Sequence, residues 1–195
     1  MIGEIAIPAR SAGIAISPIG FRTAANDVKY ITFTIIMSKP GIAAAADIEI
    51  IARGVLIGPR GVMLCRPSSG GYAYLPGGHV EFGETAGAAL EREILEELGM
   101  KARAERYLGA IESSFVQGQG TSERRHHEIN LVFQLSSSVI ARRARLEAAE
   151  EGIEFFWNPT HNLGEVNLLP KPLRLLIPRW SIGKIEPWAS DMARM

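Results

Sequence analysis

The sequence predicts an α/β fold, and three observations carry that expectation. Short runs of strand composition recur at residues 48–57, 62–66, 104–111, 127–135 and 154–157. One amphipathic segment, capped at both ends, lies among them between Thr85 and Gly99, and a second helical stretch at 170–177 follows the last strand. Strands outnumber the helices but enclose them, the pattern of a mixed α/β domain.

Residues 48–57 form the first predicted strand, closed by the turn Gly58-Pro59-Arg60-Gly61, with 62–66 returning as the second arm of a hairpin. Ser68-Ser69-Gly70-Gly71 is a loop. The run 72–75 then leads into Leu75-Pro76-Gly77-Gly78, a turn whose glycines let the backbone approach a ligand closely. In the helix that follows, Leu90, Ile94 and Leu98 are spaced i, i+4, i+8 and anchor one stripe to a core. Thr85 is the N-cap, Glu84 beside it suits the positive end of the helix dipole, and Gly99 supplies the stop.

Beyond the helix, 104–111 is a strand and 117–123 a polar, Gly-bearing surface loop. Residues 127–135 alternate, with Ile129, Leu131, Phe133 and Leu135 on one face and Glu128, Asn130 and Gln134 on the other. Asn162-Leu163 begins a turn or short helix, and Pro172 is tolerated in the first turn of the last helix. Residues 1–46 differ from the rest: Ile- and Ala-rich, broken by Pro8, Pro18 and Pro40, and without a sustained period. One strand at 31–37 is the only element expected there. The segment is therefore assigned outside the catalytic fold, which spans 47–190, and Met37 is an alternative start that would leave 1–36 outside the native protein.

Lys plus Arg and Asp plus Glu balance at 21 each, so no net charge attracts nucleic acid non-specifically. The cluster Arg142-Arg143-Ala144-Arg145 reads as solvated surface. The single cysteine, Cys65, excludes an internal disulfide, fits a reducing cytoplasm, and reads as strand packing rather than a nucleophile. No apolar run approaches the roughly 18 residues a membrane span needs. Early basic residues are too few for a signal peptide.

The chemistry concentrates in residues 78–100, GHVEFGETAGAALEREILEELGM, which carry six acidic residues. Glu93, Glu96 and Glu97 stand at i, i+3 and i+4 and project from one helix face. Carboxylates crowded that closely repel one another unless a cation sits among them, and hard divalent ions take such oxygen ligands. The segment resembles the Nudix box: Gly78, Glu84, Arg92, Glu93, Ile94, Glu96, Glu97, Gly99 and Met100 fill every defined position.

That resemblance implies a Nudix-type α/β/α sandwich with a curved mixed sheet. It also implies hydrolysis of a diphosphate linkage, in a nucleoside diphosphate joined to another moiety, by water activated on Mg²⁺ or Mn²⁺. It makes Glu96 and Glu97 metal ligands, with the Gly77 carbonyl beside them. Glu93 is a general base or a ligand at a second ion, Arg92 holds Glu93, and Glu84 supports the same network. A further Glu from a distal loop is expected: Glu151, with Glu150 its rival and Glu128 a third contender. Gly78, Glu128 and Arg66 are the expected substrate contacts, while Tyr72, Tyr74, Phe115 and Trp157 read as core before stacking platforms. His126 and His127 are weaker candidates for phosphate or base roles, and His79 and His161 read as loop chemistry.

Val116 and Gln117 stand where many ADP-ribose hydrolases have Pro, and Gly118 near the Tyr of dinucleoside polyphosphate hydrolases, so neither subfamily is indicated. The expected partner is a small nucleotide-type molecule, with no stable nucleic-acid partner, no membrane, and a homodimer by analogy. Two rivals stand beside the hydrolase. One is a catalytically silent Nudix-fold module binding a nucleotide or sugar, opposed by the intact carboxylates; the other is an enzyme acting on capped RNA, opposed by the neutral charge balance.

Overall fold

A computed structural model describes residues 48–118 and 123–192. The strand expected at 31–37, with the whole 1–46 segment, lies outside the described residues. The described chain forms β1 (Ile48–Val55), β2 (Ile57–Gly58), β3 (Gly61–Pro67), α1 (Ala86–Leu98), β4 (Arg103–Gln117), β5 (Arg124–Ser136), α2 (Ser138–Arg142), β6 (Ile153–Asn158), α3 (Leu173–Ser181) and β7 (Trp188–Ser190). A mixed sheet has the order β1-β5-β4-β7, and a second sheet the order β2-β3-β6. In the first, β5 lies parallel to β1 and antiparallel to β4, while β7 runs parallel to β4.

The first hairpin differs from expectation. Residues 48–57 are not one strand, because the chain leaves the mixed sheet at Leu56, and only Ile57 and Gly58 pair with β3. β1 pairs instead with β5, Ile48 opposite His127. Val55 and Leu56 are consecutive and both buried, as happens where a strand turns from one sheet into another. Local composition reports extended backbone but not which strand accepts its hydrogen bonds.

Successive side chains of a strand point to opposite faces, and here both faces are covered. Val55, Val62, Leu64, Ile111 and Val132 pack with Leu173, Leu176, Ile177 and Trp180 around α3. Ala52, Met63, Cys65 and Leu135 pack with Ala89, Leu90, Ile94 and Leu98 of α1. The strands are thus sandwiched between helices. Double coverage also corrects the reading of β5. Asn130 (2% exposed) and Val132 (0%) are buried on the face expected to be polar, while Ile129, Leu131 and Phe133 are half-buried on the other.

α1 follows its predicted limits. Thr85 Oγ1 accepts the Ala88 N–H at 3.2 Å, and Gly99 ends the helix in the left-handed region at φ 64°. α3 begins after Pro172 rather than around it and runs on to Ser181. α2, capped by Ser137, and the three-residue β7 carry too little periodicity to be anticipated. Cys65 is fully buried and its thiol is pushed up by burial, in keeping with a packing role.

Ile94 is completely buried where α1 meets the strands. Truncating Ile94→Ala should cost about 2–5 kcal/mol of unfolding free energy, read as a lowered urea midpoint at unchanged slope.

Candidate active site

The site is assembled by α1, the turn before it, and the edge of β1. The Ala52 N–H donates to the Gly78 carbonyl at 2.8 Å, the Gly54 N–H to the Pro76 carbonyl at 2.9 Å, and the Val80 N–H to the Ile50 carbonyl at 2.9 Å. The turn is thereby laid along β1 as a partial strand. Glycine is required at Gly77, which has φ +122° and where a Cβ would strike the Ala52 carbonyl; at Gly78 a Cβ would displace the Glu93 carboxylate from its place.

Arg92 organises the acidic face. Its Nη2 donates to Glu84 Oε1 at 2.7 Å and to the His79 carbonyl at 3.1 Å, and its Nε donates to Glu84 Oε2 at 3.3 Å. Nη1 donates to Glu93 Oε1 at 2.9 Å and to Glu96 Oε2 at 3.1 Å. These bonds hold the Glu84 carboxyl below its ordinary range, with a backbone bond to Glu81 helping. The role expected for Arg92 is thus wider than holding Glu93: it gathers three carboxylates and the box loop.

Glu97 stands apart from that fan. Unlike Glu96, which is 57% exposed, Glu97 is buried, and its Oε2 has no hydrogen-bond partner. Burial pushes its carboxyl up to about 7, against the charge of Arg53 and the Gly77 amide, which pull it down; Glu93 and Glu150 push it up further. Glu150 reaches Glu97 because the loop before β6 docks on the end of α1. The Ala149 N–H donates to the Glu97 carbonyl at 2.8 Å, and the Glu150 N–H approaches it at 3.4 Å. Both rivals from this loop, Glu150 and Glu151, are exposed, and the charge of Glu150 acts on Glu97.

The other expected residues are dispersed. Glu128 accepts the Asn130 side-chain amide at 3.1 Å on the mixed sheet. Arg66 is paired with Glu154 at 2.9 Å and lies over the Phe156 ring. His79 and His126 each bond to Glu49 at 2.7 Å, His126 stacks on Phe115, and His127 bonds to Glu112 at 3.0 Å. Arg145 lines a cavity of about 530 Å³ with Arg60 and Trp157, and that lining shares no residue with the acidic face. Among the described residues no three His, Cys, Asp or Glu side chains converge as a ready metal cluster, since Glu93 and Glu96 are turned to Arg92.

Two residues escaped the sequence reading. Glu49 ties the box loop to β5 through the two histidines. Arg53 donates to the carbonyls of Leu75 and Gly77 from the middle of β1. The signal for Arg53 was a cation set among Ile51, Ala52, Gly54 and Val55 in a strand.

The family model of the NUDIX domain matches residues 48–179. No curated protein matches the sequence. Among solved structures, the MutT protein from Methanosarcina mazei Go1 is similar with a TM-score of 0.54 and 22% identity, over 72% of this chain and 97% of that one. A NUDIX hydrolase from Nitrosomonas europaea is similar with a TM-score of 0.50 and 19% identity, over 72% and 93%. Identities this low establish likeness of fold alone. The family match spans more than half of the chain and contains the whole acidic helix with its Gly-rich turn, and by that match the chain belongs to the NUDIX family of hydrolases.

Proposed function

We propose that this chain is a metal-dependent hydrolase that cleaves a diphosphate linkage in a nucleoside diphosphate joined to another moiety. The observation that carries the reading is the Glu97 carboxylate, buried, without a partner on Oε2, and crowded by Glu93 and Glu150. A buried anion in that state is costly unless a cation compensates it. The candidate ligands, the carboxylates of Glu97, Glu96 and Glu93 and the Gly77 carbonyl, are all oxygens, which suits Mg²⁺ or Mn²⁺. The residues therefore fit a divalent ion, with Glu97, Glu96 and the Gly77 carbonyl as its holders, Glu150 or Glu151 closing from the loop, and Glu93 as the general base or a ligand at a second ion. Such an ion, when bound, neutralises a diphosphate and lowers the pKa of a coordinated water.

The chain's own residues do the rest. Arg92 fixes the Glu93 carboxylate against Gly78 by committing Oε1, which leaves Oε2 to take a proton from the attacking water. Glu84 holds Arg92 in register from below the helix. Gly78, Glu128 and Arg66 are assigned to substrate, and the balanced charge of the chain favours a small nucleotide-type molecule over nucleic acid. No described helix is long and apolar enough to cross a membrane. The family match begins at residue 48, which supports reading 1–46 as an extension outside the catalytic domain.

Glu97 also sets a pH dependence in the metal-free chain. A carboxyl whose folded pKa lies at about 7 against an ordinary 4.5 binds more protons folded than unfolded between those values. Stability of the chelated protein should therefore fall as pH rises through that window, by on the order of 3 kcal/mol when complete. Glu97→Gln should accordingly raise the melting temperature at pH 8 in chelator, with little change at pH 5.

The activity is tested by a phosphate-release screen with Mg²⁺ and Mn²⁺ over nucleoside triphosphates, ADP-ribose, nucleotide sugars and dinucleoside polyphosphates. Metal-dependent turnover is expected, reduced by at least about 100-fold in Glu97→Gln, since loss of a metal ligand removes the centre of the chemistry. No turnover, with a compound still raising the melting temperature, would favour a silent binding module.

A further inference from the structure

Arg53 occupies a place that strand alternation reserves for an apolar side chain. Its neighbours on the same face of β1, Ile51 and Val55, are buried. A guanidinium placed between them is costly unless its donors are satisfied. Among the described residues no carboxylate lies within ion-pair distance of it. Its partners are neutral oxygens. Nε donates to Asn130 Oδ1 at 3.2 Å, and Nη1 donates to the Leu75 carbonyl at 3.2 Å and to the Gly77 carbonyl. The guanidinium also stands 5.3 Å from the centre of the Tyr74 ring. Asn130 is itself held, donating to Glu128 at 3.1 Å and to the Ser113 hydroxyl at 3.3 Å.

The pattern of carbonyls gives the arginine a purpose. Backbone N–H groups of β1 take the carbonyls of Pro76 and Gly78. The intervening carbonyls of Leu75 and Gly77 cannot be reached by that edge, and both are taken by the side chain of Arg53. One strand thus secures four successive carbonyls of the turn, two with its backbone and two with one side chain.

We infer that Arg53 is a positioning residue of the metal centre, braced by Asn130 and presenting the Gly77 carbonyl toward the acidic face. The inference rests on the metal-dependent reading above. A carbonyl oxygen has two lone pairs, so accepting from Arg53 leaves one for a cation. Lysine would not replace it, because an ammonium is a point donor and cannot span two carbonyls and an amide as the planar fork does. Partners that orient a metal ligand typically contribute about 10–100-fold to metal affinity.

The test is Mn²⁺ binding to the full chain without substrate, measured by electron paramagnetic resonance of free Mn²⁺. Wild type, Arg53→Lys, Arg53→Met and Glu97→Gln are compared, with thermal unfolding in chelator as a check on folding. Both Arg53 variants are expected to bind Mn²⁺ at least about 10-fold more weakly than wild type. Arg53→Lys, which keeps the charge, carries the comparison if Arg53→Met does not fold. Wild-type affinity or tighter in Arg53→Lys would overturn the inference and leave the hydrolase reading intact. Absence of Mn²⁺ binding by wild type itself would overturn the metal-dependent reading and this inference with it.

Discussion

The fan of hydrogen bonds from Arg92 is the constraint on which the acidic site depends. Six acidic residues lie within 23 residues, and their mutual repulsion opposes any arrangement that gathers them. A guanidinium has five N–H donors in one plane, and the contacts of Arg92 draw on all three of its nitrogens. It reaches Glu84 before the helix, Glu93 and Glu96 on it, and the His79 carbonyl in the loop. The same contacts that offset the repulsion also set the angle between loop and helix, so charge compensation and geometry are one device.

Arg53 is a second cation used in the opposite way. Arg92 is spent on carboxylates, whereas Arg53 is spent on carbonyl and amide oxygens and is felt by Glu97 only through its charge. Glu97 is consequently the acidic group of the helix that is buried without a partner on one oxygen. Leaving it so costs stability in the metal-free chain. In the proposed metal site, that cost is the free energy available to a cation arriving beside Glu97, next to the Leu90, Ile94 and Leu98 stripe.

Placing these groups requires both core layers. α1 is pressed on the strands by Ala89, Leu90, Ile94 and Leu98, which sets the height of the acidic face above β1. The opposite layer, around α3, fixes the mixed sheet from the other side and with it Asn130, the brace of Arg53. The loop before β6 is tied to the last turn of α1 by the amides of Ala149 and Glu150, which brings a further carboxylate to the edge of the site.

Much of this was legible in the sequence because the signals are local. Caps at Thr85 and Gly99, the stripe at Leu90, Ile94 and Leu98, and the spacing of Glu93, Glu96 and Glu97 all act within a few helical turns, where sequence distance and spatial distance agree. Pairing of β1 with β5 was not legible, since extended backbone carries no mark of its partner, and the hairpin expected from residues 48–66 shrank to two residue pairs. Burial of Asn130 was hidden for a related reason: alternation identifies two faces but does not say that both are covered.

The sequence by itself determined the fold class, the limits of α1 and the acidic face, because helix periodicity and capping depend on neighbours in the chain. Tertiary structure alone decided which carboxylate is buried, that the charge of Glu150 bears on it, and that Arg53 of β1 donates to the carbonyls of Leu75 and Gly77. Those outcomes depend on desolvation and on donors brought together from strands far apart in sequence.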